Sequence, residues 1–450
     1  MLEKLYLNAP FWVQNIMVFI KGYRIQKIRF NKVFKKEFEL AIENQSKGTD
    51  EIDQIQKNRL TEFIKISNKT PFWNSQFKKY DVNLEANDIR EELKKLPIIS
   101  KGDVKENINE IINKEVSDKI IPMSTSGTTG SGMSFPQTNL MVNRQWAIWW
   151  AYRNLHQIEF NTWCGWFGSK NIVTASRDKP PYWKINRPGR QVLFSAFHLN
   201  KINAPQYYNE IKKRKLTWLH GYPSQLSLFA SFVLEGKYEK LPDLKIITIG
   251  AESLYDYQKE IIERAFGVPV RQHYGLAEGV ANISEDENSN LKIDHEFCYV
   301  ELIPVDEDNP NLCRIIGTNF SNDAFPLIRY DTNDLAEVDI ENGIVEIKKI
   351  IGRSSTYLTL GNGQRFGPIS YLFKKMTNIN EAQVYQPDLN QLIFRIVRNP
   401  QFNEQDEKDL LIEINKRLKD DSINISIEYV QKIERTAAGK LNPVISDVNQ

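Results

Sequence analysis

The sequence predicts an α/β protein with a large N-terminal body, built from α/β layers plus an antiparallel β region, and a small α+β C-terminal domain. Three observations predict this. A strand–helix–strand unit lies between residues 244 and 272, short alternating strands follow between 291 and 350, and a small α/β segment follows the Gly-rich joint Gly352–Pro368. Because 450 residues exceed the usual size of a single core, we expect domains at residues 1–351 and 352–450.

The strand–helix–strand unit is the clearest local pattern. Leu244–Gly250 is rich in β-branched residues, which is typical of a buried strand. Ser253 is the predicted cap of the following helix, and Gly267 ends that helix. Such a connection makes the two strands parallel. The turns after them, Gly250–Ser253 and His273–Gly279, therefore lie at the sheet edge where α/β folds bind ligands.

The remaining elements are predicted from periodicity and from turn residues. The first 80 residues and the segment after Asn139 are predicted helices, and Asn161–Gly189 is predicted to contain turns and a long surface loop. A turn at Gly221–Pro223 precedes a helix that starts near Ser224. The C-terminal segment is predicted to contain a helix at 369–377, strands at 381–386 and 391–398, a helix at 404–419 and a strand at 423–430.

The stretch Ser124–Met133 is rich in Ser, Thr and Gly. Small residues let backbone N–H groups surround an anion, so one interpretation is a phosphate-binding loop and the other is a flexible linker. Gly127 and Gly132 have the spacing of a P-loop, but Met133 and Ser134 follow where that motif needs Lys and then Ser or Thr. A P-loop NTPase is therefore disfavoured.

Composition excludes several classes of protein. The 59 basic and 57 acidic residues give a net charge of +2, which argues against a nucleic-acid binder. The three cysteines are far apart and suggest neither a disulfide framework nor a zinc site, as expected in a reducing cytoplasm. No signal peptide is evident, and the early apolar run Phe11–Ile20 is too short to span a membrane.

Two further patterns have alternative interpretations. Arg24, Lys27 and Arg29 follow the apolar N-terminal segment, so this helix lies either on the inner face of a membrane or, as we favour, on the body of its own protein. Seven of the nine tryptophans lie between Trp146 and Trp218. We favour a role for them in the core over a role in lining a flat substrate pocket.

Four separated motifs occur in an order that carries a resemblance: STSGTTG, YGLAE, RYDTNDL with GRSS, and RTAAGK, between Ser124 and Lys440. Together they resemble the adenylate-forming superfamily of acyl-CoA synthetases, nonribosomal adenylation domains and luciferases. The GAES turn, the short chain, the absent loop lysine, and the segments HGYPSQLSLFA and AFHL are similar to the phenylacetate–CoA ligase-like branch. Its CapK-type members, associated with surface polysaccharide clusters, fit best.

The resemblance implies an AMP-forming ligase that uses ATP and Mg²⁺. A carboxylic acid would become an acyl-adenylate, and the acyl group would pass to CoA, to a carrier-protein thiol or to an amine such as that of an amino sugar. The C-terminal domain would be a mobile lid. The residues themselves specify neither the acid, nor the acceptor, nor the oligomeric state.

The resemblance also implies roles for individual residues. Ser126, Gly127, Thr128, Thr129 and Gly130 would bind the β- and γ-phosphates; Gly250, Ala251 and Glu252 would pack on adenine; His273, Tyr274 and Gly275 would close the adenine and α-phosphate site; Asp334 and Arg353 would bind ribose; Glu278 would bind Mg²⁺; and Lys440 would bridge the carboxylate and the α-phosphate. Lys440, Glu278 and Thr128 are the expected catalytic residues.

Two positions are more open, and two depart from the family pattern. His198 and Tyr222 are candidates for the acyl pocket, although a core role for His198 fits equally well. Ser355 and Thr356 stand where Asp–Asp is common, and Ser355 is the expected hinge. This change and the missing loop lysine leave a second hypothesis: a non-catalytic nucleotide-binding scaffold of a polysaccharide assembly complex.

Overall fold

The computed structural model describes residues 2–125, 132–168, 172–174, 176–305, 309–341, 344–353, 358–361, 365–366, 372, 378–418, 423–435 and 441–448. The helices are α1 (Leu2–Asn8), α2 (Phe11–Arg29), α3 (Lys32–Asn44), α4 (Thr49–Ser67), α5 (Pro71–Lys79), α6 (Ile89–Leu93), α7 (Lys101–Glu106), α8 (Ile108–Ile111), α9 (Asn139–Leu155), α10 (Ala204–Lys213), α11 (Pro223–Glu235), α12 (Asp256–Phe266) and α13 (Glu404–Leu418). The strands are β1 (Ile120–Ser124), β2 (Ser134–Thr138), β3 (Cys164–Phe167), β4 (Trp183–Asn186), β5 (Gln191–Phe194), β6 (Trp218–Gly221), β7 (Ile246–Ile249), β8 (Val270–Gly275), β9 (Asn282–Glu285), β10 (Leu291–Ile293), β11 (Tyr299–Pro304), β12 (Leu312–Thr318), β13 (Tyr330–Glu341), β14 (Ile344–Arg353), β15 (Leu358–Thr359), β16 (Arg365–Phe366), β17 (Ile379–Asp388), β18 (Gln391–Arg398), β19 (Asn424–Tyr429) and β20 (Val444–Ser446).

The chain divides into two compact units. The first comprises residues 1–22, 161–272 and 351–450, and the second comprises residues 23–160 and 273–350. Strand β8 begins in the first unit and ends in the second. The boundary that we predict between residues 351 and 352 stays a prediction.

The first unit contains a largely parallel sheet. Its strands follow the order β4-β5-β3-β6-β7-β8, in which β5, β3, β6, β7 and β8 are parallel and β4 is antiparallel to β5. Apolar residues of these strands form one core with α10, α11 and α12. The predicted parallel pairing of the strands at 244–272 is confirmed. Gly267 ends α12 in the left-handed conformation, at φ +68°, which favours glycine.

The C-terminal part of the first unit is a second, smaller layer. Four strands in the order β19-β18-β17-β20 pack one face against α13, as the predicted strand and helix pattern requires. Tyr255 and Tyr257 belong to the same apolar cluster as this sheet. The apolar core of the C-terminal layer therefore includes residues from the start of α12. The predicted helix at 369–377 lies outside the described residues, apart from Leu372.

The second unit combines helices with an antiparallel sheet. The sheet order is β11-β12-β13-β14-β10-β9-β8, and the pairs β8–β9, β9–β10, β10–β14, β11–β12 and β12–β13 are antiparallel. The antiparallel region predicted between residues 291 and 350 is therefore confirmed. One apolar cluster joins the sheet to α3 and α9. Another contains residues of the five helices from α4 through α8 and of the segment 320–330.

One prediction of local structure is incomplete and one is wrong. The stretch Asn161–Gly189 has the predicted turns but also contains β3 and β4, and β3 pairs in parallel with both β5 and β6. Gly165 lies in β3. A Cβ at this position would be 2.5 Å from the Leu219 side chain, so this glycine reflects close packing between strands and not a turn. Ser253 does not cap α12; its hydroxyl donates to the Ile351 carbonyl oxygen, and Gln258 accepts from the Tyr255 N–H at the helix start.

The tryptophans between Trp146 and Trp218 are buried or half-buried. Trp150 and Trp218 are buried, and Trp163 and Trp183 pack against the core of the first unit. The Trp218 indole N–H donates to the Thr248 hydroxyl at 2.7 Å, which satisfies its buried polar atom. The structure therefore favours the core interpretation for these residues.

Gly221 offers a test of how tightly β3 and β6 pack. A Cβ at this position would lie 2.2 Å from the Phe167 carbonyl oxygen, which is backbone and cannot move aside. We expect Gly221→Ala to lower the free energy of unfolding by about 1–3 kcal/mol, measured by urea denaturation. The matched control is Gly102→Ala in α7, where the nearest atom, Ser100 Oγ, would be 3.4 Å away. Equal stability of the two variants would contradict the packing argument.

Candidate active site

The predicted phosphate loop lies between the paired strands β1 and β2. Ser126, Gly127, Thr128, Thr129 and Gly130 are outside the described residues, and the described residues on either side are bonded to each other. The Thr125 N–H donates to the Met133 carbonyl oxygen at 2.9 Å. The Met133 side chain is only 3% exposed and belongs to an apolar cluster. At the position of the missing lysine, this chain therefore has a core residue.

The turn after β7 contains the three residues predicted to pack on adenine. The Gly250 N–H donates to the Gly221 carbonyl oxygen at 3.3 Å, which fixes the start of the turn. Ala251 is exposed and has φ +67°, in the left-handed region that is unfavourable for a residue with a Cβ. Such strained residues concentrate at functional sites.

Glu252, the third residue of this turn, connects the start of α11 to the C-terminal segment. Its carboxylate accepts from the Ser224 N–H at 3.3 Å and from the Leu441 N–H at 2.9 Å. Burial raises the pKa of Glu252. A hydrogen bond from Ser224 and the positive charge of the nearby Arg435 guanidinium oppose this rise. The carboxylate is thus a half-buried acceptor held by two backbone N–H groups, with the Arg435 guanidinium nearby.

Arg435 makes a second connection between the same two regions. Its guanidinium donates to the Ser224 hydroxyl at 2.9 Å and forms an ion pair with Glu381 of β17. Burial raises the pKa of Glu381, and Arg435 opposes that rise. Arg435 and Leu441 also form an antiparallel bridge. Lys440 lies outside the described residues, but the residues on both sides of 436–440 are attached to α11 and to the Gly250–Ser253 turn.

The end of β8 carries the predicted His273–Gly275 segment, in the second unit. The His273 ring lies 5.4 Å from the Trp149 ring and 5.5 Å from the Tyr152 ring, on α9. Burial, with a smaller contribution from Arg153, lowers the pKa of His273 to about 3, so its imidazole is neutral at pH 7. A Cβ at Gly275 would lie 2.5 Å from Asn282 Oδ1, which explains why this position is glycine.

Tyr274 and Asp334 are brought together although 60 residues separate them. The Tyr274 hydroxyl donates to Asp334 Oδ2 at 2.7 Å, and Asp334 is buried, with 7% of its surface exposed. Burial, and then the Asp334 charge, raise the pKa of Tyr274, so the phenol stays protonated and keeps donating. The hydrogen bond fixes the orientation of the carboxylate that we expect to bind ribose.

Thr332 and Asn333, between Asp331 and Asp334, lie in a bulge within β13. Asn333 has φ +58°, and the register of β13 against β12 shifts at this point. The bulge separates the two aspartates: Asp331 accepts from Arg314 at 2.6 Å, while the Asp334 N–H donates to the Thr332 hydroxyl at 3.0 Å. Asp334, and not Asp331, is thereby directed towards Tyr274.

Glu278, the predicted Mg²⁺ ligand, is buried in the second unit. Its backbone carbonyl oxygen accepts from the Asn319 side chain at 2.9 Å, which holds the turn. Within the described ranges, no group of three or more His, Cys, Asp and Glu residues could hold a metal ion. Mg²⁺ in nucleotide sites is bound through one or two carboxylates plus phosphate oxygens and water, so a single buried carboxylate fits this ion.

The remaining candidate residues are His198, Tyr222, Arg353 and Ser355. His198 is buried, its Nδ1 is 2.8 Å from the Ser195 hydroxyl, and its ring stacks on Tyr182 at 4.9 Å, as expected of a core histidine. Tyr222 is the residue before α11, and its N–H donates to the Phe167 carbonyl oxygen. Arg353 ends β14, but its side chain and all of Ser355 lie outside the described part of the chain.

Sequence reasoning missed Ser224 and Glu381 as partners of Arg435. The only signal for them was the Arg at the start of RTAAGK, to which the pattern assigns no partner. Ser224 was noted only as the start of a helix. No spacing rule connects Glu381 to Arg435, because the contact depends on how β17 and the C-terminal segment meet.

Comparison with known proteins supports the predicted relationship. Residues 363–447 match the family model of the CapK C-terminal domain. The chain is 27% identical to Protein CapK of Staphylococcus aureus over 464 aligned residues, with 100% of both chains covered. It is 23% identical to phenylacetate-coenzyme A ligase of Pseudomonas putida, over 70% of this chain and 73% of that relative.

The fold also matches that of a solved structure. The crystal structure of 2-hydroxyisobutyryl-CoA ligase in the postadenylation state, in complex with 2-HIB-AMP, has a TM-score of 0.65 at 17% identity and covers 89% of this chain and 90% of that one. These findings confirm the predicted α/β fold class and the resemblance to CapK-type and phenylacetate–CoA ligase-like proteins.

The contacts of Arg435 predict a pH-dependent stability. Arg435→Met removes the cation that pairs with the buried Glu381 and lies near the half-buried Glu252. Leaving the buried Glu381 carboxylate unpaired costs about 3–5 kcal/mol. Since burial raises the pKa of both acids, they can escape this cost by binding protons at low pH. We therefore expect the loss in unfolding free energy to be larger at pH 8 than at pH 5, by urea denaturation.

The matched control is Arg395→Met in the same C-terminal sheet. Arg395 pairs with Glu428 at 3.2 Å, but both side chains are substantially exposed, so the expected loss is about 1 kcal/mol or less at either pH. If the Arg435 and Arg395 variants lose equal stability, or if the Arg435 loss does not grow with pH, the assignment of Arg435 as the counter-ion of buried acids is wrong.

Proposed function

We propose that this chain is an ATP-dependent, AMP-forming ligase that activates a carboxylic acid as an acyl-adenylate. The observation that carries the proposal is the attachment of the segment around Lys440. Arg435 and Leu441, on either side of residues 436–440, bond to Ser224 and to Glu252. Glu252 lies in the turn that the resemblance assigns to adenine. These contacts of Arg435 and Leu441 support the proposal that Lys440 acts at this turn.

In the first step, a carboxylate oxygen of the substrate attacks the α-phosphorus of ATP. The bond between the α-phosphorus and the oxygen that bridges it to the β-phosphorus breaks, and pyrophosphate leaves with that electron pair. Because both reactants are anions, positioning and neutralisation of charge are the main contributions that a protein can make. We assign the neutralising charge to the Lys440 ammonium and the positioning of ribose to Asp334, whose carboxylate Tyr274 orients.

Glu278 is the residue that we propose to hold Mg²⁺. When bound, the ion would neutralise charge on the phosphate oxygens of ATP. The Ser126–Gly130 loop would hold the β- and γ-phosphates through backbone N–H groups and hydroxyls. This division of labour needs no lysine at position 133, where the chain has the buried Met133.

In the second step, the acyl carbon of the adenylate is attacked by an acceptor, and AMP leaves. A thiol of CoA or of a carrier protein would give a thioester, and an amine, such as that of an amino sugar, would give an amide. The resemblance to CapK-type proteins motivates a place in surface polysaccharide biosynthesis. Supplying each acceptor class with the activated acid distinguishes them, by mass spectrometry of the product. A cytoplasmic location stays a prediction.

The decisive experiment is ATP–pyrophosphate exchange with a panel of carboxylic acids, together with trapping of the adenylate by hydroxylamine. We expect exchange that depends on one class of acid. Lys440→Ala should slow adenylation by roughly 10²–10³-fold, the range for loss of one preorganised charge-stabilising group. The control is Lys408→Ala on α13, an exposed lysine of the same C-terminal layer, which should leave the rate unchanged.

The same experiment separates the enzyme from the non-catalytic scaffold. Calorimetry that detects ATP binding, with no exchange for any acid, would favour the scaffold. Absence of both binding and exchange would refute the proposal as a whole. Normal adenylation by the Lys440 variant would refute only the role of that lysine.

Asp334 and Asp331 form a matched pair for testing the ribose assignment. We expect Asp334→Asn to weaken ATP binding by roughly ten- to hundred-fold, because a charged acceptor for the ribose hydroxyls is lost. Asp331→Asn, on the same strand, changes an acid that instead pairs with Arg314, and should leave affinity unchanged. Calorimetric titration with ATP measures both. A larger effect at Asp331 than at Asp334 would overturn the assignment.

A further inference from the structure

Helix α2 presents an apolar stripe to solvent. Trp12 is 66% exposed, Ile16 49%, Phe19 49%, Ile20 46% and Tyr23 50%. These positions are spaced by four, three, one and three residues, so they share one face of the helix. Elsewhere in the described chain, exposed large apolar residues such as Ile202 are mostly separated along the sequence, and scattered residues of this kind are ordinary.

Over residues 11–22, which belong to the first unit, the opposite face of α2 is packed within that unit. Gln14 is buried and donates to the Thr174 hydroxyl at 3.2 Å. Gly22 lies so close to Asn186 that a Cβ would come within 2.0 Å of its side-chain oxygen. The Lys184 ammonium donates to the Phe11 carbonyl oxygen at 3.2 Å. These contacts orient the helix, so the stripe faces outward because the other face is fixed.

The charges of α2 are all of one sign. Lys21, Arg24 and Lys27 are exposed, and the helix contains no Asp or Glu. The Lys27 ammonium lies 4.7 Å from the centre of the Tyr23 ring, at the end of the stripe. A second copy of this face would meet like charge, which disfavours self-association through it. An anionic surface with an apolar interior complements both the charge and the stripe.

We propose that α2 binds an anionic lipid bilayer, with its axis in the plane of the membrane and Trp12, Ile16, Phe19 and Ile20 in the headgroup and acyl boundary. Helices with an apolar face and basic residues bind membranes in this way, and Trp and Tyr favour the interface. Among the described residues, no helix is both long enough and apolar enough to cross a bilayer. This resolves the two sequence interpretations of the N-terminal helix: one face packs on the protein and the other binds lipid.

Sedimentation of the full chain with vesicles tests this proposal. One set contains phosphatidylcholine alone, and the other contains about one third phosphatidylglycerol. We expect the protein to sediment with the anionic vesicles, and we expect added salt to weaken this binding. Equal binding to both sets, or no binding to the anionic set, would overturn the proposal.

Two variants separate the apolar and the charge contributions. Trp12→Ser with Phe19→Ser should weaken binding to anionic vesicles by at least roughly ten-fold. Lys21→Gln with Arg24→Gln and Lys27→Gln should weaken it by roughly 100-fold, at about five-fold for each charge. All five side chains are exposed, so the fold should be retained, which circular dichroism checks.

Matched controls lie elsewhere on the surface. Ile202→Ser removes an apolar residue that is 84% exposed, and Lys78→Gln with Lys79→Gln and Lys105→Gln removes three exposed basic residues. Both controls should bind like the unmodified chain. If the control substitutions weaken vesicle binding as much as the α2 substitutions, α2 is not the lipid-binding surface and the proposal fails. If light scattering instead shows a dimer that the Trp12 and Phe19 changes dissociate, without vesicle binding, the stripe is a self-association surface and the proposal fails.

Discussion

The attachment of the C-terminal segment to the Gly250–Ser253 turn depends on Arg435. A single guanidinium pairs with the buried carboxylate of Glu381 and lies near the half-buried carboxylate of Glu252; burial raises the pKa of both acids. Burying two acids together is unfavourable unless a cation and hydrogen-bond donors compensate. Arg435 supplies the cation, and the N–H groups of Ser224 and Leu441 supply donors. Without this cation and these donors, the two carboxylates would repel each other.

An apolar contact accompanies this polar one. Tyr255 and Tyr257 at the start of α12 belong to the core of the C-terminal sheet. The residues that follow the proposed adenine turn are therefore part of the hydrophobic cluster that stabilises the C-terminal layer. The proposed nucleotide turn and the packing of the C-terminal layer therefore involve the same short stretch of chain, from Gly250 to Tyr257.

Sequence patterns predicted the fold where local preference and tertiary packing agree. The strand at 244–250 and the helix that Gly267 ends have a period, a composition and a stop signal that all indicate the same structure. Sequence patterns missed the strands within Asn161–Gly189. Gly165 lies in one of these strands, and a glycine is needed there because Leu219 packs against it. A glycine selected by close approach and a glycine selected by a turn are identical in a sequence. The same applies to Ser253, whose hydroxyl bonds to a residue 98 positions away.

The candidate site was predicted only as far as motifs extend. The motif carrying Asp334 gives its position, but the bulge at Asn333 that separates its direction from that of Asp331 depends on the register of β12. Similarly, Ser224 and Glu381 carry no motif, since their role is defined by contact with Arg435. The phosphate loop residues and Lys440 lie outside the described residues, so their roles rest on the resemblance and on the residues that flank them.

The buried side chain of Met133 limits which residues this end of the loop can carry. A lysine introduced here would place an ammonium among apolar residues, which is strongly unfavourable without a partner. A single substitution therefore could not add a cation at this position without also destabilising the core that Met133 fills. In the proposed ligase, charge on the phosphates must accordingly be neutralised from other parts of the sequence.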